Sequence, residues 1–299
     1  MKKQLLRQAD GSPWIAIAGE AHNSSASDAV YMSGIWEKAE ELGLNTLLLP
    51  VSWELIEPEE NRFEFTLVDE LIMQARNAGM HIIFLWFGTW KNAQSTYAPE
   101  WVKKDLQRFP RAELEQGKRK IILKNFYNMP YTTLSYLGEE TKHADAKAFA
   151  GLMRHLRVID GKERTVLAVQ VENETGVQGS AREHSTLAEQ LFAKTPPQGL
   201  VDYLENHTDE MDESLKNVWQ NQNAGAERKI TPDSGQDGME KCGKEKGWRE
   251  VFGLAADEIF SAYHIASYVE YVAAAGKAEY DLPMAVNSWL TQGTEPGVY

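Results

Sequence analysis

Short apolar runs alternate with helix-like segments along this chain, and polar or aromatic residues follow each run. The runs are rich in β-branched and aliphatic residues and are too short for helices, which is typical of buried strands. The predicted strands cover residues 14–18, 45–51, 81–87, 166–171 and 282–286. Apolar residues recur at helical spacing in residues 28–42, 67–78, 142–158 and 251–275. Strands and helices are therefore predicted to alternate.

The first helix-like segment has recognisable end signals. Asp28 precedes its first turn and can cap the N-terminus, while Gly43 follows its last turn. The positions that this spacing predicts to face the core are Tyr31, Ile35, Ala39 and Leu42.

The alternation of strand and helix implies parallel strands joined by helical crossovers. Two long insertions, at about residues 88–141 and 177–250, each follow a strand and precede a helix. In a (β/α)8 TIM barrel, the edge of the sheet where such loops lie carries the active site. A closed barrel needs eight units over roughly 250 residues or more, yet only five strands are found before Tyr299. We therefore expect residues 1–299 to be the N-terminal portion of one (β/α)8 domain, truncated after about five units.

Composition disfavours several classes of partner. Of the 299 residues, 42% are hydrophobic and 25% charged, which suits a globular domain with a sizeable core. The formal net charge of -13 argues against nucleic acid and anionic membranes, because both require clustered Lys and Arg. The single cysteine, Cys242, rules out an intrachain disulfide. No apolar run has the length of a signal peptide or membrane span, so we expect a cytoplasmic protein, with its oligomeric state left open.

The fourth predicted strand ends in two carboxylates and an amide, which are Glu172, Asn173 and Glu174. A carboxyl group that is partly desolvated at a strand end can hold its proton at neutral pH, as a general acid must. The same residues could instead form a solvated helix cap. These three residues are the first candidates for chemistry.

Tryptophans gather at the same predicted edge. Trp53, Trp86, Trp90 and Trp289 lie at or just after the ends of three strands, and Trp86 and Trp90 share one of them. A tryptophan can present its flat face to a sugar ring while its indole N–H bonds to a hydroxyl. One such residue is usually core packing, but four at one edge favour a ligand platform.

Further polar residues follow the first, second and fifth strands. They are Glu20 and His22, then Glu54, then Asn287, and we expect them to hydrogen-bond ligand hydroxyls. One histidine without a second nearby is weak evidence for a metal, so we predict no metal site. The sequence has no Gly-rich phosphate loop, Gly-x-Ser-x-Gly elbow or Cys–His pairing, and we expect no cofactor.

Three motifs occur in the order found in a known family. Residues 170–176 read Gln-Val-Glu-Asn-Glu-Thr-Gly, residues 52–58 read Ser-Trp-Glu-Leu-Ile-Glu-Pro, and residues 19–22 read Gly-Glu-Ala-His. With Asn-Arg-Phe-Glu-Phe at 61–65, they resemble glycoside hydrolase family 35, the β-galactosidases of the retaining clan A, which are built on (β/α)8 barrels. The resemblance runs from about residue 14 to 174, and more loosely to 289.

The resemblance implies roles for individual residues. Glu174 would be the acid/base, and Asn173 would bond the sugar hydroxyl next to the anomeric carbon. The nucleophile would be a glutamate at the end of a seventh strand, beyond residue 299. Two departures indicate a divergent branch: Glu54 stands where Asn is usual, and Trp90-Lys91 where a Glu-Trp pair is usual.

The resemblance thus implies retaining hydrolysis of a terminal β-linked galactose by the full-length protein, with a glycoside or oligosaccharide as substrate. Residues 1–299 alone would be inactive, because a retaining mechanism needs two carboxyl groups and only one is present. Two alternatives remain open. One is a carbohydrate-binding barrel that has lost catalysis, and the other is a clan A glycosidase with a different sugar specificity, such as a β-mannosidase or β-glucosidase.

Overall fold

Five parallel strands form the main sheet of the computed structural model, which describes residues 5–116, 119–121, 133–213, 215–217, 219 and 246–288. The strands of this sheet are β1 (Ala18–Glu20), β2 (Thr46–Ser52), β3 (His81–Lys91), β6 (Val166–Asn173) and β7 (Met284–Ala285). A separate antiparallel hairpin consists of β4 (Leu114–Gln116) and β5 (Arg119–Ile121). The order in the main sheet is β1-β2-β3-β6-β7, and every neighbouring pair is parallel. Within the described residues the sheet is open, with β1 and β7 at its edges, as in an incomplete barrel.

Helices connect the strands in the predicted alternation. The helices that the structure describes are α1 (Ala29–Glu41), α2 (Trp53–Ile56), α3 (Thr66–Asn77), α4 (Glu100–Lys104), α5 (Glu139–Asp160), α6 (Thr186–Phe192), α7 (Gln198–Asn206), α8 (Trp248–Phe252) and α9 (Ala256–Glu279). The α/β fold class predicted from the sequence is confirmed. The division of the chain into one domain with two insertions stays a prediction.

Four predicted elements have different bounds in the structure. The strand predicted at residues 14–18 lies at 18–20, and the one predicted at 282–286 is only two residues long. The strand predicted at 81–87 continues to Lys91, so four residues assigned to an insertion belong to β3. The helix predicted at 251–275 is divided into α8 and α9 near Gly253, whose φ is +56°.

Helix α1 begins as predicted but buries a different face. The Asp28 side chain accepts hydrogen bonds from the amides of Val30 and Tyr31 at 2.7 and 3.0 Å. The residues it buries are Met32, Trp36 and Ala39, whereas Tyr31 and Leu42 are exposed. The indole of Trp36 donates to Gln74 of α3 at 2.8 Å. Packing against α3 thus decides which of two adjacent apolar stripes faces inward.

The amino end of β6 is fixed by a buried carboxylate. Asp160, the last residue of α5, accepts hydrogen bonds from the amides of Thr165 and Val166. It also pairs with Arg76 of α3 at 2.6 Å. The apolar side chains of β6 are fully buried beyond this anchor, so the strand delivers its last residues to one defined place at the opposite edge.

No helix among the residues that the structure describes has the length and apolar character needed to cross a bilayer.

Candidate active site

The carboxyl ends of β3 and β6 meet at an irregular place in the sheet. Trp86 lies opposite Val171, but the next paired residues are Lys91 and Asn173. Five residues of β3 therefore correspond to two residues of β6, which leaves 87–90 as a bulge. Bulges are common beside active sites, where they redirect side chains.

The backbone around Glu174 takes conformations that are uncommon for residues with side chains. Glu172 and Glu174 have φ angles of +60° and +49°, and Asn92 and Ala93 have φ angles of +56° and +53°. The Ala93 amide donates to the Glu174 carbonyl at 2.8 Å. The Glu174 amide donates to Oδ1 of Asn287 at 2.9 Å. Left-handed backbone at four non-glycine residues is maintained only where the surroundings hold it, and such positions concentrate at functional sites.

Lys91 is the cation beside Glu174. Its Nζ lies 3.3 Å from Oε2 of Glu174 and 5.3 Å from the centre of the Phe87 ring. The Lys91 side chain is 10% exposed and that of Glu174 is 23% exposed. Glu174 is therefore a carboxylate that is partly open to solvent and oriented by a largely buried ammonium group.

Asn173 separates the two glutamates and is almost fully buried. Its side-chain oxygen has no hydrogen-bond partner among the residues that the structure describes. A buried acceptor without a partner is costly and calls for a functional explanation. The oxygen fits the role predicted for Asn173, hydrogen bonding to a ligand hydroxyl, which stays a prediction.

Glu172 points into a buried cluster with Asp145 of α5. Its Oε2 accepts a hydrogen bond from the Trp90 amide at 2.8 Å, and its Oε1 accepts one from the Thr89 amide at 3.3 Å. Asp145 accepts from the Trp86 indole at 2.9 Å and from the Thr89 amide at 3.0 Å. Both carboxyl groups are fully buried. Burial, followed by the negative charge of Asp145, raises the pKa of Glu172 well above its ordinary value.

Three of the four predicted platform tryptophans belong to the core, so the prediction that they present faces to a ligand is corrected. Trp53, Trp86 and Trp90 are each fully buried. Trp53 donates to Glu57, Trp86 donates to Asp145, and Trp90 packs edge-on against Tyr268 at 4.8 Å. Large apolar rings at the ends of parallel strands are covered here by the following loops and helices. The fourth residue, Trp289, lies outside the described residues.

The remaining predicted site residues are distributed along the same sheet edge. Glu20 and His22 are exposed at the end of β1. Glu54 is the second residue of α2, just after β2, and pairs with Lys103 at 3.3 Å. With neighbouring strands about 4.8 Å apart, the ends of β1 and β6 are separated by roughly 14 Å. Only Asn287 among the predicted polar residues outside 172–174 bonds to Glu174.

Asp145 is the residue of this site that the sequence reasoning missed. It lies four residues before Phe149 on α5, so the two share one helical face, and Phe149 is fully buried. A carboxylate on an apolar helical face was therefore the available signal, since a buried charge needs a partner. Within the described parts of the chain, no group of three or more His, Cys, Asp or Glu side chains is arranged to hold a metal ion.

Comparison with known families gives one match. The model of glycoside hydrolase family 42, described as beta-galactosidase, matches residues 30–224. Families 42 and 35 both belong to clan A, so the motifs predicted the clan correctly and the family incorrectly. Among curated proteins, none matches.

Solved structures with the same fold include two β-galactosidases. A catalytic mutant of Gan42B, a GH42 beta-galactosidase from G. stearothermophilus, has a TM-score of 0.56 at 16% identity, covering 93% of this chain and 36% of that one. The polyextremophilic beta-galactosidase of the Antarctic haloarchaeon Halorubrum lacusprofundi has a TM-score of 0.52 at 16% identity, covering 91% and 36%. At this identity the likeness shows the fold, and the chain spans about a third of the length of either structure.

Proposed function

The chain belongs to glycoside hydrolase family 42, and we propose that its full-length protein hydrolyses terminal β-linked galactose with retention of configuration. Glu174 is the acid/base of this reaction, and Asn173 bonds the hydroxyl next to the anomeric carbon. The substrate is a β-galactoside or a galactose-terminated oligosaccharide.

The observation that supports this proposal best is the setting of Glu174. Its carboxylate stands at the carboxyl end of a parallel strand, where barrel enzymes carry their catalytic groups. Its backbone is held on both sides by Ala93 and Asn287, and its side chain by Lys91. A catalytic carboxyl group needs this kind of fixed geometry together with access to solvent.

The proposed reaction has two steps. In the first, a carboxylate nucleophile attacks the anomeric carbon while Glu174 gives its proton to the departing glycosidic oxygen, and the bond between that carbon and that oxygen breaks. In the second, Glu174 accepts a proton from water as the water oxygen attacks the anomeric carbon and releases the nucleophile. Glu174 is thus protonated again at the end of the cycle.

The proposed reaction also needs a second carboxyl group, which acts as the nucleophile. A retaining mechanism requires two carboxyl groups about 5–5.5 Å apart. We place the second group on a later barrel strand, after residue 299, in the full-length protein.

The test is the substitution Glu174→Gln in the full-length protein, assayed with phenyl β-galactoside. Loss of a general acid should lower kcat/KM by roughly 100-fold to 10,000-fold. Glu37→Gln, which changes an exposed glutamate of α1, is the matched control and should retain full activity. Unchanged hydrolysis by Glu174→Gln would show that the acid/base assignment is wrong.

The same assay separates the alternative functions. Faster hydrolysis of aryl β-glucosides or β-mannosides than of β-galactosides would indicate a different sugar specificity. A wild-type protein that hydrolyses none of these substrates, yet gains thermal stability from galactose, would be a sugar-binding barrel.

A further inference from the structure

The buried carboxyl groups of Asp145 and Glu172 take no part in the proposed reaction, although Glu172 is only two residues before Glu174 in the chain. We call them the carboxyl pair. Both are fully buried, and they come from different elements, α5 and β6. Burying two acids next to each other costs folding free energy. A role in holding the neighbouring residues would account for this cost.

The carboxyl pair connects β6 to the bulge of β3. Glu172 accepts hydrogen bonds from the amides of Thr89 and Trp90, and Asp145 also accepts from Thr89. These amides lie within the bulge, so the neighbouring strand does not pair with them in regular register. The carboxyl pair thus supplies the acceptors that fix the shape of the bulge.

The bulge in turn fixes both neighbours of Glu174. Lys91, which pairs with the Glu174 carboxylate, directly follows Trp90. Ala93, which donates to the Glu174 carbonyl, lies two residues further on. Glu172 itself lies in β6, two residues before Glu174 in the chain, and its φ of +60° sets the direction of the chain there. Movement of the Glu172 carboxyl would therefore displace Glu174 from two sides.

The surroundings leave the carboxyl pair little room to move. The Tyr268 hydroxyl of α9 donates to Asp145 at 3.2 Å and lies 2.7 Å from the Thr89 hydroxyl. A Cβ atom added to Gly88 would lie 2.5 Å from Oε1 of Glu172 and 2.6 Å from Oδ1 of Asp145. Glycine at position 88 is therefore required for the backbone to approach both acids.

The charge balance indicates one proton on the carboxyl pair. Neither acid forms an ion pair with a Lys, Arg or His within the described parts of the chain. Two adjacent carboxylates in a dry site cannot both be ionised without a large penalty. Burial and the nearby charge raise the pKa of Glu172 well above its ordinary value, which supports placing the proton on Glu172.

We propose that the carboxyl pair is the positioning device of the acid/base, in which a protonated Glu172 donates to Asp145 and together they hold the 87–90 bulge so that Lys91 and Glu174 meet. The inference rests on the proposed function. Asp145 and Glu172 are positioning residues, because neither touches the substrate in the proposed reaction.

Leaving-group dependence tests this proposal. Phenyl β-galactoside needs its departing oxygen protonated, whereas 2,4-dinitrophenyl β-galactoside has a leaving group that departs without a proton. The ratio of kcat/KM for the two substrates therefore reports proton donation by Glu174. A smaller folded fraction lowers both values equally, so a merely structural role leaves the ratio unchanged.

In the full-length protein, Asp145→Asn and Glu172→Ala should lower kcat/KM for the phenyl substrate by roughly 100-fold, the effect of a displacement of about 1 Å. The dinitrophenyl substrate should lose less than about tenfold. Glu172→Gln should be nearly neutral for both substrates, because its amide replaces the proposed protonated carboxyl as a donor to Asp145.

Asp160→Asn is the matched control. Asp160 is also fully buried and also accepts two backbone amides, but at the opposite end of β6. The Asp160→Asn variant should leave the ratio of kcat/KM between the two substrates unchanged. Should the Ala or Asn variant fail to fold, Tyr268→Phe removes one hydrogen bond to Asp145 while keeping the ring, and should change the ratio in the same direction.

The outcomes distinguish this proposal from the function on which it rests. Glu174→Gln should change the ratio of kcat/KM between the two substrates more than any other variant. An unchanged ratio in Glu174→Gln would overturn the proposed function. If Glu174→Gln shows the dependence but Glu172→Ala, Asp145→Asn and Tyr268→Phe do not, only the positioning role is overturned. If Glu172→Gln is as damaging as Asp145→Asn, the proton does not reside on Glu172 and the proposal fails.

Discussion

Glu183 is a second buried carboxyl group in the loop that follows β6, and its charge is linked to stability. It is fully buried, and its Oε1 accepts a hydrogen bond from the Ser185 hydroxyl at 2.6 Å. Its other oxygen has no hydrogen-bond partner among the residues that the structure describes. Burial raises the pKa of Glu183 to about 7.

The raised pKa gives the direction of a pH effect. The folded protein binds the Glu183 proton more tightly than the unfolded chain, whose glutamate has a pKa near 4.5. The protonated Glu183 side chain therefore adds to the free energy of unfolding in full below about pH 4.5. This addition is lost as the pH rises through about 7. The loss is on the order of 3 kcal/mol. Glu183→Gln should remove this decline, as measured by urea unfolding at pH 5 and pH 8.

Glu70→Gln, at an exposed position of α3, provides the comparison for that experiment and should retain the decline of the wild type. Equal pH dependence in both variants would contradict the assignment to Glu183.

In the candidate active site, the sequence predicts the positions of the polar residues better than those of the aromatic residues. Asn173 and Glu174 end a strongly apolar strand, so their place at the sheet edge followed from local pattern alone. Trp53, Trp86 and Trp90 end strands in the same way, yet all three are buried. A tryptophan side chain is long enough to turn either to solvent or to the core. Which of the two occurs depends on the residues that cover the ring, and these come from distant parts of the chain.

At the scale of elements, the contact between α5 and α9 depends on one glycine. A Cβ atom at Gly276 of α9 would lie 2.3 Å from the Phe149 ring of α5 and 3.0 Å from Met153. The two helices, which cover the sheet near β6, can therefore approach only if residue 276 has no side chain. The strand and helix order was predictable, but this closeness was not, because it depends on residues 127 positions apart.

Gly276→Ala should destabilise the protein by about 1–3 kcal/mol, because an extra methyl group in a packed core forces its neighbours apart. Gly34→Ala on α1 is the matched control, since nothing lies within 4 Å of its added Cβ. That change should stabilise the helix by up to about 1 kcal/mol. Urea unfolding of both variants measures the difference, and equal effects would contradict the packing argument.

At the scale of the molecule, the two outer strands of the sheet are open among the described residues. Ile15 and Ile17 are 82% and 57% exposed beside β1, and Val286 is 67% exposed beside β7. A groove of about 460 Å³ lies next to the β7 edge and is lined by Ala266 and Val269 of α9 and by residues 286–288. Open strand edges and apolar grooves of this kind promote association.

Residues 1–299 expressed alone should therefore self-associate and unfold without a sharp transition. Light scattering with size-exclusion chromatography measures the association, and differential scanning calorimetry measures the transition. The full-length protein is the control and should be free of this association. A monodisperse, cooperatively melting preparation of residues 1–299 would contradict the expectation that these edges need partners.

The sequence by itself determined the order of strands and helices, the cap at Asp28, the clan of the family and the place of Asn173 and Glu174 at a strand end. These features follow from neighbours within a few positions, where apolar periodicity and capping act. Only the tertiary structure decided that Lys91 pairs with Glu174 and that Asp145 shares a buried site with Glu172. Those contacts join residues 83 and 27 positions apart, and their geometry depends on how the bulge of β3, the end of β6 and helix α5 pack together.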